Sequence, residues 1–144
     1  MKPKTILFTA IALFLLIGVT GCEKEKEEEA PAELYGTWKL TGFGNTADNT
    51  FREAEPKDCE KCYTMTFLKD GTITGHTSTN EIGGEYRIKG GNLDFLRLGG
   101  TEINELFDGQ DYVEALYKVN RFEINSKQLN LYYGDTDYLL FKRR

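Results

Sequence analysis

From Leu34 onward the large apolar residues fall on alternate positions, the period of a half-buried strand. Trp38 and Leu40 share one face of Gly36–Leu40, which Gly42 and Gly44 bring to an end. Tyr63, Met65 and Phe67 alternate with Thr64 and Thr66, and Lys69-Asp70-Gly71 turns that run into Thr72–Thr74. This is a hairpin with suitable turn chemistry. A second hairpin is predicted from Gly83–Ile88 through Lys89-Gly90-Gly91-Asn92 to Leu93–Phe95. Further strands are predicted at Arg121–Ile124, Leu129–Tyr133 and Tyr138–Phe141. The stretch Gly44–Asp58 is polar and contains Pro56, which predicts a long loop. One helix is predicted, over Gln110–Lys118: Val113, Leu116 and Tyr117 recur at helical spacing, with Ile103, Leu106 and Phe107 one and two turns earlier. That stripe is expected to pack on the open end of a barrel.

Eight or so short strands and one helix in about 110 residues predict a mainly β fold, a small closed antiparallel barrel with the helix between early and late strands. Closure removes exposed strand edges. Tyr63, Phe67, Tyr86, Phe95 and Phe122 are expected to fill its interior. A cavity for a small apolar ligand would need smaller residues there.

The N-terminus follows different rules. Residues 1–4 are cationic, Thr5–Val19 is apolar and uncharged, and Val19-Thr20-Gly21-Cys22 follows. This is the anatomy of a removable signal peptide over residues 1–21. An apolar run of about 15 residues spans only about 22 Å as a helix, short of a bilayer core of roughly 30 Å. The four residues ending in Cys22 resemble a bacterial lipobox, which implies lipidation of Cys22 as the new N-terminus. Residues 22–33 then form an acidic flexible tether, carrying the domain 34–144 on a membrane. Acidic residues directly after such a cysteine are similar to the surface-export signal of Bacteroides-like bacteria. They imply the outer membrane with the domain facing outward; the periplasmic face is the alternative.

With Cys22 lipidated, Cys59 and Cys62 remain, an even pair in an oxidising compartment, and a disulfide is the leading reading. A zinc half-site would lack further ligands, since His76 is the only imidazole. A redox pair would lack the helix N-terminus that lowers a thiolate pKa, because Cys62 runs into a strand. Removal of the leader leaves 23 acidic against 16 basic side chains, which argues against nucleic acid as a partner. One His, no nucleophile placed with it and no phosphate-cradling loop predict neither an enzyme nor a cofactor or metal site.

The order Leu34-Tyr35-Gly36-Thr37-Trp38, Gly71, Gly75, Asn80-Glu81-Ile82-Gly83-Gly84-Glu85-Tyr86, Leu93, Thr101, helix and Leu129-x-Leu131 resembles the META domain of bacterial envelope lipoproteins, over about residues 34–142. That family often carries a disulfide between a Cys before the Asn and a second Cys after the Thr. Here Thr79 and approximately Glu105 occupy those places, so Cys59 and Cys62 would form a separate bridge. The family itself implies no enzyme activity.

In size, tether and barrel the chain also resembles the potempins, surface inhibitors of secreted proteases. That resemblance implies a monomer that occupies a protease cleft with a loop. The candidate is Pro56-Lys57-Asp58-Cys59-Glu60-Lys61-Cys62, which a disulfide and Pro56 would preorganise. Asp58 or Glu60 would suit a metalloprotease zinc, and Lys57 or Lys61 a serine-protease pocket. Ser78-Thr79-Asn80-Glu81 is a candidate second contact loop. The alternative is a non-catalytic envelope module that binds another envelope component.

Overall fold

The computed structural model describes Gly21 and residues 27–144. The leader apart from Gly21, the lipidation site Cys22 and residues 23–26 lie outside the described residues. Among the described residues a short 3-10 turn at Ala32–Leu34 leads into nine strands and one helix. The strands are β1 (Gly36–Asn45), β2 (Thr50–Glu53), β3 (Thr64–Phe67), β4 (Thr72–His76), β5 (Glu81–Lys89), β6 (Asn92–Gly100), β7 (Val119–Ile124), β8 (Gln128–Tyr133) and β9 (Asp137–Arg143). The helix α1 covers Gly109–Lys118 and connects β6 to β7. Eight strands run antiparallel in the order β6-β5-β4-β3-β1-β9-β8-β7, a nearly closed barrel, and β2 pairs with β1. The mainly β barrel with one helix between early and late strands is as the alternation predicts.

Local chemistry sets the turns. Asp70 Oδ1 accepts from Thr72 N at 2.9 Å and from Thr72 Oγ1 at 2.6 Å, closing the β3–β4 turn. Gly90 and Gly91 form the two-residue β5–β6 turn with φ of +58° and +74°, a conformation that two side chains would resist. Glu28 caps this turn: its N–H donates to Ile88 O at 2.9 Å, and its carboxylate accepts from Gly90 N at 3.0 Å and Gly91 N at 3.3 Å. The chain leading from Cys22 therefore joins the barrel at the Gly90-Gly91 end.

The interior is filled by Tyr63, just before β3, and by alternate residues of the strands, among them Trp38, Met65, Phe67, Ile73, Leu93, Leu129, Leu131 and Phe141. Each large side chain contributes about 1.5–3 kcal/mol by leaving water. Trp38 Nε1 donates to Leu34 O at 2.9 Å, so the buried indole costs no unpaired donor. Phe95 and Phe122 are only partly buried, because they flank the seam where β6 and β7 are not paired.

Two expectations are corrected. Gly44–Asp58 is not one long loop, since β1 continues to Asn45 and returns as β2. All four β2 residues are exposed, so no hydrophobic alternation marks it. The predicted apolar stripe also does not pack as a unit. The helix buries Tyr112, Ala115 and Leu116, whereas Tyr117, Ile103, Leu106 and Phe107 face solvent. The segment before Gly109 is not helical, so helical spacing does not extend back to Ile103.

Tyr112 is fully buried, and its hydroxyl has no hydrogen-bond partner among the described residues. Its ring meets Tyr63 edge-on at 5.3 Å. Leaving a hydroxyl unpaired in the core costs about 1–3 kcal/mol. Tyr112→Phe is therefore expected to leave the Tm unchanged or raise it. A lowered Tm in thermal unfolding would show that the hydroxyl is paired after all.

Candidate binding surface

Three irregular segments meet at the end of the barrel opposite Gly90-Gly91. The first is the connection Ala54–Tyr63 between β2 and β3. Ala54 N donates to Thr41 O at 2.9 Å, and the Tyr63 hydroxyl donates to Glu55 O at 2.6 Å. Cys59 and Cys62 form a disulfide, with Cα atoms 5.4 Å apart. Beneath it Lys39 Nζ donates to the carbonyls of Cys59, at 2.7 Å, and Cys62. Burial, with the Arg144 charge nearby, lowers the Lys39 pKa from its ordinary value. So short a loop gains little from closure of the unfolded chain, and the bridge acts locally. Outward, Lys57 pairs with Glu53, and Glu60 pairs with Arg144 at 2.7 Å. No ion pair among the described residues engages Asp58 or Lys61.

The second segment is the β4–β5 turn, where Thr77 N donates to Asn80 O at 2.8 Å. It lies against the first: Tyr63 N donates to Thr77 O at 3.3 Å, and Cys62 Sγ sits 3.8 Å from Ser78 O. His76, just before it, has Nδ1 3.3 Å from Thr64 Oγ1.

The third is the strap Thr101–Asp108 between β6 and α1, which the sequence reading did not single out as a site. Its anchor is Glu105. One carboxylate oxygen accepts from Thr77 Oγ1 at 2.5 Å and Asn80 Nδ2 at 2.6 Å; the other accepts from Ser78 Oγ at 2.6 Å and Thr79 Oγ1 at 3.0 Å. Asn80 behaves like a strand partner to Ile103, donating to its carbonyl at 2.7 Å and accepting from its N–H at 2.8 Å. Thr79 Oγ1 lies 3.2 Å from Asn104 O, and Ser78 Oγ accepts from Leu106 N at 3.1 Å. Asp108 ties the strap to the first segment, accepting from Glu55 N at 2.7 Å and pairing with Arg52 at 2.7 Å.

Thr79 and approximately Glu105 are the two places where the META resemblance puts a disulfide. Hydrogen bonds to an ionised carboxylate join the same two loops here. The only sequence signal for this was the paired departure from the family pattern.

Burial alone would raise the Glu105 pKa, but the side-chain donors of Asn80, Ser78, Thr77 and Thr79 outweigh it and hold the group at about 2. No group of three or more His, Cys, Asp or Glu among the described residues is placed to hold a metal ion. The three segments together form a stiff, uneven surface.

Residues 32–144 match the META domain family. The chain is 37% identical over 144 residues to a Tannerella forsythia protein named "Putative lipoprotein", covering 99% of this chain and 97% of that protein. Its fold is similar to the NMR structure of a protein from Burkholderia xenovorans, with a TM-score of 0.64, 25% identity and 99% of each chain covered. It is also similar to a lipocalin-like protein from Bacteroides uniformis, with a TM-score of 0.55 and 19% identity, over 78% of this chain and 99% of that one.

Because the folded-state pKa of Glu105 is depressed, its contribution to stability is full above about 4.5 and lost as pH falls through about 2. Glu105→Gln removes the charge and turns an amide N–H₂ towards donors. At pH 7 its Tm is expected to fall by about 4–8 °C, the size of a ~1 kcal/mol loss in a domain this small. The gap from the parent chain should shrink between pH 4.5 and 2. Thermal unfolding across that range checks it, and a gap independent of pH would remove the ionised carboxylate from the account.

Proposed function

The chain belongs to the META domain family, and from that premise we propose that it is a lipid-anchored envelope protein that binds and inhibits a secreted protease. Cys22 carries the lipid, and the domain sits on the outer membrane facing outward. The inhibitory surface includes Pro56–Cys62, flanked by Ser78–Glu81. One observation carries this reading: the Ala54–Tyr63 segment is held by a disulfide, a lysine beneath two of its carbonyls and a tyrosine hydroxyl, while Lys57, Asp58, Glu60 and Lys61 remain at the surface. A segment fixed before binding loses little conformational freedom on entering a cleft. The ion pairs narrow the chemistry. Within this segment Asp58 and Lys61 are the charged groups available to pair with the protease surface, since Glu60 and Lys57 are engaged by Arg144 and Glu53.

The test mixes the mature chain carrying Cys22→Ser with the secreted proteases of the bacterium that makes it and follows cleavage of a general peptide substrate. Stoichiometric loss of one protease's activity is expected. Undiminished activity at micromolar concentrations of the chain would favour an envelope module that binds a different component. Replacing Cys59 and Cys62 together by Ser is expected to weaken inhibition while the domain stays folded, with a loss of stability of about 2 kcal/mol or less for so short a loop. Unchanged inhibition would make the bridge a structural pin only.

A further inference from the structure

The strap Thr101–Asp108 displays what a folded domain normally hides. Ile103, Leu106 and Phe107 are 63%, 57% and 71% exposed, three large apolar side chains within five residues. Tyr117, 65% exposed, lines a groove of about 280 Å³ with Ile82, Leu98, Leu116 and the strap residues Thr101, Glu102 and Glu105. Clustered exposed apolar surface of this kind marks an interaction site.

Stability does not account for the display. Phe107 has φ of +51°, a left-handed conformation that costs a bulky residue and suits Asn or Gly. The strained residue points its ring outward, so the fold receives no burial in return. Meanwhile the strap is fixed from below through the backbone of Ile103, Asn104 and Leu106 and the carboxylates of Glu105 and Asp108, by the turn residues and Glu55. A segment so held keeps its shape inside a cleft, and its ends stay in place even if a bond in it is cut.

Position and charge restrict the occupant. β5 runs nine residues from Glu81, beside the strap, to Lys89, beside Glu28. At about 3.3 Å per residue the apolar cluster lies on the order of 30 Å from where the tether joins. The cluster therefore lies at the end of the barrel opposite the Glu28 contact. The groove has Glu102 and Glu105 among its lining residues and no Lys or Arg, and Glu114 follows on α1, which ends in Lys118. A second copy would bring acid against acid, whereas a cleft with a cationic mouth is complementary.

We propose, building on the protease reading, that the strap enters the protease's active-site cleft, with Leu106 and Phe107 filling a large apolar specificity pocket. The target is then a protease that prefers bulky apolar side chains, and Pro56–Cys62 supports the strap at the rim.

The experiment compares the mature chain with Leu106→Ser/Phe107→Asn and with Cys59→Ser/Cys62→Ser against the protease that the parent chain inhibits. Asn tolerates the left-handed backbone, so the strap variant is expected to keep or raise its Tm. Its Ki is expected to rise about 30-fold or more, the scale of losing a central apolar anchor, and by more than in the cysteine variant. Peptides bearing Leu or Phe at the cleavage site should be cut faster by that protease than peptides bearing Lys or Arg. A strap variant that inhibits within about threefold of the parent overturns the strap proposal and leaves the protease reading standing. A preference for basic substrates overturns it as well. Failure of the parent chain itself to inhibit any secreted protease overturns the protease reading and the strap proposal together.

Discussion

The carboxylate of Glu105 holds the working end of this molecule together. A barrel strand ends, a turn reverses and a strap departs towards a helix, and none of these segments has a ladder to hold it. Thr77, Ser78, Thr79 and Asn80 all aim side-chain donors at the one anion. Hydrogen bonds to a charged acceptor are roughly twice as strong as neutral ones. Five around one carboxylate, four from side chains and one from Thr79 N, fix both loops without a covalent bond. The strap then reaches the third segment through Asp108 and Glu55, so the disulfide-bearing connection is in register with the rest.

The barrel supplies the rigidity on which this depends. Its closely packed interior fixes β4, β5 and β6, and hence where the turn and the strap begin. Its length separates the two ends by function. Glu28 grips the Gly90-Gly91 turn, leaving a short run of chain back to Cys22. The loop surface lies at the far end. Under the proposed function, a lipid-anchored chain of this shape presents its apolar strap to whatever approaches from outside the membrane.

The barrel was largely legible in the sequence because strand alternation is a local signal, and so were the turns at Asp70-Gly71 and Gly90-Gly91. The Cys59 and Cys62 pair could be read from compartment and count. β2 was invisible because all four of its residues are exposed and carry no period. The strap was misread because Ile103, Leu106 and Phe107 sit at helical spacing with the residues of α1, while only the tertiary structure shows that the chain there is not helical. Hydrophobicity alone cannot tell a core residue from one held out for a partner. Glu105 was marked only by lying near the place where the META resemblance implies a cysteine. Its donors are 25 to 28 residues away in sequence, beyond any local pattern.

The most direct test of this account is residue-resolved amide hydrogen exchange on the free mature chain at neutral pH. The N–H groups of Ile103, Leu106 and Asn80 lie outside the helix and strands but are hydrogen-bonded to side chains in the Glu105 network. The account predicts that they exchange slowly, with protection close to that of the neighbouring β5 amides. Exchange at the rate of an unstructured surface loop would contradict it, since the strap would then be a flexible connection rather than a preorganised binding segment.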